Sequence, residues 1–479
     1  MAARLNVVVM KSKITAFIYG ITSKWRLKMI RFSFFFLACL ASLSQLIYPQ
    51  VDKFNAYVVQ IPKKNITNKV AIAIKDNIDL IGYPTTAGSL ALLDNYPTQN
   101  AFIVSKLYEN NFYIDGKTNL SEWANFRSEK SVSGWSSHGG QTLNPFGVNL
   151  NPCGSSSGSA VAVASGLVDI AIGTETNGSI SCPASVNGIV GHKPTVGLLS
   201  RSGIIPISST QDTPGPMGKS VEIVAEALQA MAGIDIADSA TLLTPNNFKY
   251  DFTSNLKEGG ISGKRFGLLK SGKNNAEAAI LLERLSKLIT SLGGTIVEIN
   301  DSREYPGEDE YFLLLYEFRV GLEDYLENST SKYKTLESLI DFNINNAEKV
   351  MPHFEQEIFY KSVRTLDKDD EYLKALEMVE RVRNEFDELL EYYDLDSFIG
   401  LTRNPAWLID YDGGDDAAMA NQVSYGNGAY AAIAGYPHLT IPLASINNLP
   451  VGISLIGPAW SDAMLLQIGY ELEKNKESF

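Results

Sequence analysis

The chain reads as an α/β protein built on a single large mixed sheet with helices around it, and three stretches predict this. The apolar run VAIAI, Val70 to Ile74, is a buried strand that delivers Lys75-Asp76-Asn77 at its end. Residues 100–112 have helical spacing, with Ala101, Val104, Leu107 and Tyr108 on one side, and Asn111 closes them. Phe112-Tyr113-Ile114 then returns as a strand into Asp115-Gly116-Lys117-Thr118-Asn119. Further on, Arg265 to Leu269, Ala276 to Leu292, a Gly293-Gly294 stop and Thr295 to Ile299 give strand, helix and strand again. Strands alternating with helices favour an α/β fold with a mostly parallel or mixed sheet. A length of 479 residues is within reach of one large-sheet α/β fold, so length alone does not require two domains.

In chain order, Gly82 to Ser89 (GYPTTAGS) is a turn-rich loop, and Ser131 to Asn151 is rich in glycine and serine. Pro152 to Pro183 is the stretch around which the rest is organised. Cys153-Gly154-Ser155-Ser156-Ser157-Gly158 opens an alanine- and valine-rich segment that reads as a buried helix. Leu167 to Ile172 reads as a buried strand, and Thr174 to Ser179 as the turn behind it. Gln211 to Met217 (QDTPGPM) is rigid and turn-prone, and Val221 to Met231 is an amphipathic helix. From about Tyr311 to Tyr393 the chain is acidic, helical and poor in glycine. The clearest helix there is Leu376 to Tyr392, with Met378, Val379, Val382, Phe386 and Leu389 on one face, and the charges read as solvated helix faces. Phe398 to Leu401 and Leu439 to Pro442 are late core strands. No internal repeat or low-complexity linker interrupts the order.

Composition excludes several functions. With 41 Lys and Arg against 54 Asp and Glu the formal charge is −13, and no basic stripe follows the N-terminus, which argues against nucleic acid as a partner. Cys39, Cys153 and Cys182 form no disulfide framework and no CxxC pattern, and Cys153 and Cys182 read as small buried packing groups. None of His138, His192, His353 and His438 stands three to five residues from another, so zinc is disfavoured. Residues 1–31 carry Arg and Lys without an acid, then Phe32 to Leu43 is a short apolar run before the small residues Ala41 to Ser44. This resembles a secretory signal peptide, with Met29 as a second possible start. The run is too short to span a bilayer comfortably. An organellar transit peptide and lipid attachment at Cys39 are the alternatives. Residues 1–48 are therefore set apart as a targeting segment, and 49–479 form one folded domain with an acidic helical middle, about 303–395.

Ser179 is the candidate nucleophile. A hydroxyl needs a base for its proton and backbone N–H donors for the oxyanion that forms, and Thr176-Asn177-Gly178 with Ser179 itself can supply those donors if the turn folds round it. Two other templates fail. Gly154-Ser155-Ser156-Ser157-Gly158 satisfies G-x-S-x-G with Ser156 at its centre, but that elbow needs a strand directly before it, and Asn144 to Pro152 are loop formers. Gly116-Lys117-Thr118 echoes the end of a phosphate-binding loop, but position 111, where the first glycine belongs, is Asn. Lys75 is the remaining base: at a buried strand end, desolvation lowers the pKa of its amine and lets it act neutral.

These pieces together resemble the amidase signature family of serine hydrolases. PCGSSSGSA is similar to the family's P-G-G-S-S-G-G-S-A element, and GTETNGSISCPA to its G-T-D-T-G-G-S-I-R-x-P-A element. AIKDNID, TTAGS, GKTNLSEW, GIVGHKPTVGLLSRSGIIP, DTPGPM and AGYPHLTIPLASINNLPVGISLIGP extend the likeness over about residues 70–475. The resemblance implies the amidase signature fold. It makes Ser179 the nucleophile, Ser155 a bridging serine held by a non-proline cis peptide bond, and Lys75 the ultimate base, with an acyl-enzyme and no metal or organic cofactor. Asn177 departs from the pattern by replacing a glycine, Ser181 by replacing an arginine, and Cys153 by replacing a glycine. The subgroup most similar in these motifs is the bacterial peptide amidases, which release ammonia from C-terminally amidated peptides. SVSGWSS and NPAW resemble that subgroup as well and make Ser131 and Trp407 substrate-binding candidates. The expected partner is therefore a small-molecule or peptide amide. The alternatives are the glutamine-hydrolysing subunit of a tRNA-dependent amidotransferase, which would need a second polypeptide, and an inactive binding protein that keeps the fold.

Overall fold

Among the described residues eleven strands form one mixed sheet, and the order of its strands brings the two serine clusters and the lysine strand side by side. The computed structural model describes residues 51–62, 68–301 and 303–479. The targeting segment, with Met29 and Cys39, lies outside the described residues. The strands are β1 (Tyr57–Gln60), β2 (Val70–Lys75), β3 (Phe112–Thr118), β4 (Ile170–Glu175), β5 (Val190–Lys193), β6 (Thr213–Gly218), β7 (Arg265–Leu268), β8 (Thr295–Glu298), β9 (Ser397–Leu401), β10 (His438–Ile446) and β11 (Leu449–Ile456). Across the sheet they run β1, β3, β2, β4, β6, β5, β10, β11, β9, β7, β8. The pairs β2–β3, β2–β4, β9–β7 and β7–β8 are parallel and the other six antiparallel. A two-residue ribbon, Trp135–Ser136 with Gly140–Gln141, stands apart.

The helices are α1 (Phe102–Glu109), α2 (Ser157–Ala164), α3 (Ser181–Val186), α4 (Val221–Met231), α5 (Ala276–Ser291), α6 (Gly307–Glu327), α7 (Leu336–Asn345), α8 (Ala347–Val350), α9 (Glu357–Val363), α10 (Asp369–Tyr393), α11 (Gly414–Met419), α12 (Ala429–Ala434) and α13 (Asp462–Lys474). Local chemistry sets several of their ends. Asn275 caps α5 by accepting from the Glu277 and Ala278 N–H groups at 3.0 and 3.1 Å. Thr335 and Ser338 form a reciprocal capping box on α7.

β2 is apolar at successive positions because helices cover both faces of a central parallel strand. Ile72 and Ile74 pack with α1, α4 and β4 residues on one side, while Ala73 packs with α2 on the other. The small residues of α2 have a packing reason. A Cβ at Gly158 would stand 2.3 Å from the Ala56 carbonyl oxygen and 2.4 Å from that of Asn119, so any larger residue would force the helix off the sheet. Among the described residues no helix is long and apolar enough to cross a membrane.

Three readings of the sequence need correction. The predicted strand Leu167 to Ile172 begins and ends three residues later, at Ile170–Glu175. Thr174 and Glu175, polar residues that read as turn, are held in the sheet by pairing with Pro214 and Thr213. The stretch QDTPGPM, read as a turn, contributes β6, which lies between β4 and β5. Its prolines are tolerated because β5 pairs with β6 only at Met217 and Gly218, beyond Pro214 and Pro216. In the acidic middle most charges are solvated, but Glu317 and the neighbouring Glu310 are buried, at 4 % and 3 % exposure.

Candidate active site

Strand β2 carries Lys75 at its inner end with no exposed surface. Its Nζ lies 2.7 Å from Ser155 Oγ, 2.8 Å from Thr174 Oγ1 and 3.3 Å from the Thr174 carbonyl oxygen. Burial lowers the amine's pKa from 10.5 to about 7, and the charges of Asp212 and Glu175 only partly oppose that. An ordinary lysine is neutral in roughly one molecule in three thousand at pH 7, whereas here the neutral form is a major species. In that form the two N–H bonds can be spent on Thr174 while the lone pair faces the Ser155 hydroxyl.

Ser155 stands in the loop before α2, and the Gly154–Ser155 peptide bond is cis. A Cβ at 154 would come 2.1 Å from Ser121 Oγ, so a larger residue there would have to displace that hydroxyl. The Ser155 carbonyl accepts from Ser121 N–H at 3.1 Å. Ser156 has a different task. Its hydroxyl donates to the Thr174 carbonyl at 3.0 Å and accepts from Thr174 N–H at 3.1 Å, so it fastens this loop to β4 and has nothing left for attack on a substrate.

The turn after β4 bears Ser179, which is 8 % exposed. Gly178 takes a left-handed φ of 85°, which reverses the chain between Asn177 and Ser179. Ser156 N–H donates to the Ser179 carbonyl at 3.2 Å, joining the two serine loops backbone to backbone. The Ile180 and Ser181 N–H groups donate to Glu175 Oε2 at 2.6 and 2.8 Å. Among the described residues the N–H groups of Asn177, Gly178 and Ser179 and the Ser179 hydroxyl make no hydrogen bond. A buried amine, a hydroxyl against it and a second hydroxyl among uncommitted N–H donors are the parts that acyl transfer from an amide uses.

A set of buried side chains holds the turn, and the sequence reading missed most of it. Asp212 accepts from Thr176 Oγ1 at 2.6 Å and from Ile207 and Ser208 N–H at 2.7 and 2.9 Å, while burial pushes its own pKa up. Glu310 accepts from Asn177 Nδ2 and Gln211 Nε2. Glu317 accepts from Ser208, Ser209 and Thr210 and from the Tyr372 hydroxyl. Beneath the lysine strand, Asp76 pairs with Lys117 Nζ at 2.9 Å, both fully buried.

Cys153 and Cys182 are joined by a disulfide, with their Cα atoms 6.0 Å apart. This corrects their reading as separate packing groups. A separation of 29 positions conceals the pairing in the sequence, and only the return of the chain through α2 and β4 brings them together. Trp407, 4 % exposed, packs against this disulfide with Val186, and Arg403 lies over its ring at 5.5 Å. Ser131 is 9 % exposed and spends its hydroxyl on the Ser128 carbonyl at 2.7 Å. A cavity of about 550 Å³ opens onto Ser155, Thr174 and Thr176 and runs outward past Arg201 and Tyr325; Ser179, Ser131 and Trp407 lie outside its lining. Among the described residues no group of three or more His, Cys, Asp or Glu side chains is placed to hold a metal ion.

Residues 49–466 match the family model described as Amidase. A probable amidase of Arabidopsis thaliana is 34 % identical over 419 residues, covering 86 % of this chain and 77 % of its own. A glutamyl-tRNA(Gln) amidotransferase subunit of Lactiplantibacillus plantarum is 32 % identical over 440 residues, covering 86 % and 84 %. Among solved structures, the peptide amidase from Stenotrophomonas maltophilia is 41 % identical with a TM-score of 0.79, covering 85 % of this chain and 82 % of that one.

Proposed function

The chain belongs to the amidase family and is an amide-hydrolysing enzyme, and we propose that it cleaves the C-terminal amide of peptides, releasing ammonia through Ser179, Ser155 and Lys75. Neutral Lys75 takes the proton of Ser155, and Ser155 takes that of Ser179 as Ser179 Oγ attacks the amide carbon. The Asn177, Gly178 and Ser179 N–H groups, with Thr176 at the start of the turn, hold the oxyanion. Ser155 returns the proton to the leaving nitrogen, the C–N bond breaks, and ammonia departs from an acyl-enzyme on Ser179. Water deacylates it by the same relay.

The observation that carries this reading is the 2.7 Å contact between Lys75 Nζ and Ser155 Oγ, in a site where the amine's pKa falls to about 7. The peptide substrate is supported by the 41 % identity to a peptide amidase. Export is supported by the basic, acid-free N-terminus and by the Cys153–Cys182 disulfide, a bond that persists in oxidising compartments. The test is ammonia release by the purified chain, alone, from an amidated dipeptide, glutamine and a fatty-acid amide, beside Ser179→Ala. Turnover of the dipeptide amide that disappears in the variant is expected, and undiminished turnover in Ser179→Ala overturns the assignment. A second reading, the glutamine-hydrolysing component of an amidotransferase, is favoured by the 32 % identity to the Lactiplantibacillus plantarum protein. Activity on glutamine only when a second polypeptide is added would select it.

A further inference from the structure

We propose that Glu310, from the acidic helical region, is the positioning residue that aims the oxyanion-binding turn, acting through the side chain of Asn177. The inference rests on the reading of Asn177, Gly178 and Ser179 as the donors that hold the oxyanion.

Glu310 lies in the first turn of α6 and is 3 % exposed. Its Oε1 accepts from Asn177 Nδ2 at 2.8 Å and from Gln211 Nε2 at 2.9 Å, and its Oε2 accepts from the Tyr305 hydroxyl. Gln211, itself fully buried, also donates to the Thr176 carbonyl at 3.3 Å. No Lys or Arg pairs with Glu310 among the described residues, so its charge rests on neutral donors. Hydrogen bonds to an ionised acceptor are shorter and stronger than those between neutral groups, and leaving a buried carboxylate without them is costly. Both carboxylate oxygens are therefore committed to holding protein groups, which leaves Glu310 unsuited to binding a cationic substrate.

What it holds is the turn. Asn177 and Thr176 are the two residues before Gly178, which takes a left-handed φ of 85° and, lacking a Cβ, does little to hold the turn by itself. Fixing the Asn177 side chain and the Thr176 carbonyl from outside limits that rotation, and with it the direction of the N–H groups at 177–179. The glycine that the family motif carries at this position has no side chain with which to make the bond. Asn177 and Glu310 thus form a pair across 133 positions of the chain, and the Tyr305 hydroxyl, 3.5 Å from Asn177 Nδ2 and bonded to Glu310, closes the set. Donors pre-aimed at the oxyanion act in the transition state, so loosening them should lower kcat and leave substrate binding almost untouched.

The experiment uses the full chain with an amidated dipeptide and measures kcat, KM and Tm for Glu310→Ala, Glu310→Gln, Asn177→Ala and the Glu310→Ala/Asn177→Ala double variant. Glu310→Ala and Asn177→Ala should each lower kcat by about 10- to 100-fold with KM within about twofold, and the double variant should fall no further than the worse single one. Glu310→Gln, whose amide oxygen still accepts from Asn177 and Gln211, should recover to within about threefold of the parent. The rate of covalent labelling by a fluorophosphonate should fall in step with kcat. Unchanged kcat in Glu310→Ala, a loss confined to KM, multiplicative losses in the double variant, or Glu310→Gln as impaired as Glu310→Ala would each overturn the proposal. If Glu310→Ala fails to fold, Asn177→Ala, at a partly exposed side chain, carries the test. Ser179→Ala run alongside separates the two claims: activity retained there defeats the nucleophile assignment, whereas an inactive Ser179→Ala beside a normal Glu310→Ala defeats only this one.

Discussion

Lys75 Nζ and Thr174 Oγ1 lie 2.8 Å apart at the ends of two adjacent parallel strands, β2 and β4. The pairing of these strands fixes the base before any substrate arrives, and it sets the first prediction. With the Lys75 pKa lowered to about 7, the neutral amine is the minor form below that pH and the dominant form above it. The rate kcat/KM should therefore rise with pH through about 7 and level off above about pH 8. Lys75→Ala should lose this limb together with most of the rate at neutral pH, and relatively less in alkali. A pH–rate profile of the parent that is flat from pH 6 to 9 would contradict a lysine base.

The three serines of the first cluster and the turn should separate cleanly. Ser179→Ala should lower kcat by at least about 10⁴-fold, as loss of a nucleophile does elsewhere. Ser155→Ala should also lose most activity, with its fold intact. Ser156→Ala should instead cost about 1–3 kcal/mol of stability, because it strands the Thr174 N–H that Ser156 Oγ now satisfies and leaves the Thr174 carbonyl only its 3.3 Å contact with Lys75 Nζ. Chemical denaturation beside steady-state kinetics distinguishes the three.

Breaking the disulfide should act on both stability and rate. A cross-link between residues 29 positions apart restricts the unfolded chain by about 3.6 kcal/mol in the loop-entropy model. The Cys153→Ser/Cys182→Ser double variant should lose about 2–4 kcal/mol, and a non-thiol reductant should lower the Tm of the parent but not that of the variant. Because the bond ties the loop of Ser155 to the helix behind Ser179, kcat should fall as well.

The buried Asp76–Lys117 pair next to the lysine strand should tolerate paired but not single removal. Lys117→Met leaves a carboxylate buried without its cation and should cost about 3–5 kcal/mol. Adding Asp76→Asn to it should recover part of that loss in a denaturation measurement.

Much of the fold was legible because burial writes itself into the order of residues. The run Val70 to Ile74 announced β2, and Val221 to Met231 coincides with α4 at both ends. The same logic located Lys75, a cation at the end of an apolar strand. Its distance to Ser155, 80 residues away, is a property of strand order across the sheet. Other features were hidden for identifiable reasons. Pro214 and Pro216 speak against a strand until one knows that the β5 ladder stops short of them. The partnership of Cys153 with Cys182 depends on how the intervening helix and strand return. Glu310 and Glu317 stand in a stretch whose composition is that of a solvated surface, and a single buried carboxylate does not alter an average. The exchange of a motif glycine for Asn177 was the one signal that something unusual must receive a side chain there.

Helix α6 has a further consequence. Glu310 and Glu317 are seven residues apart, which places them on one face about 10.5 Å apart along the axis. One steadies the turn at 176–177 and the other the loop at 208–210. The helix therefore works as a ruler with two marks, and its count of residues matters more than its surface. A single inserted residue between the marks would swing one carboxylate by about 100° and leave its loop without an anchor, whereas an insertion beyond Glu327, past the last turn, would leave both marks in register. Comparing the two insertions would show that the turn bearing Ser179 is set by arithmetic in a helix more than a hundred residues downstream.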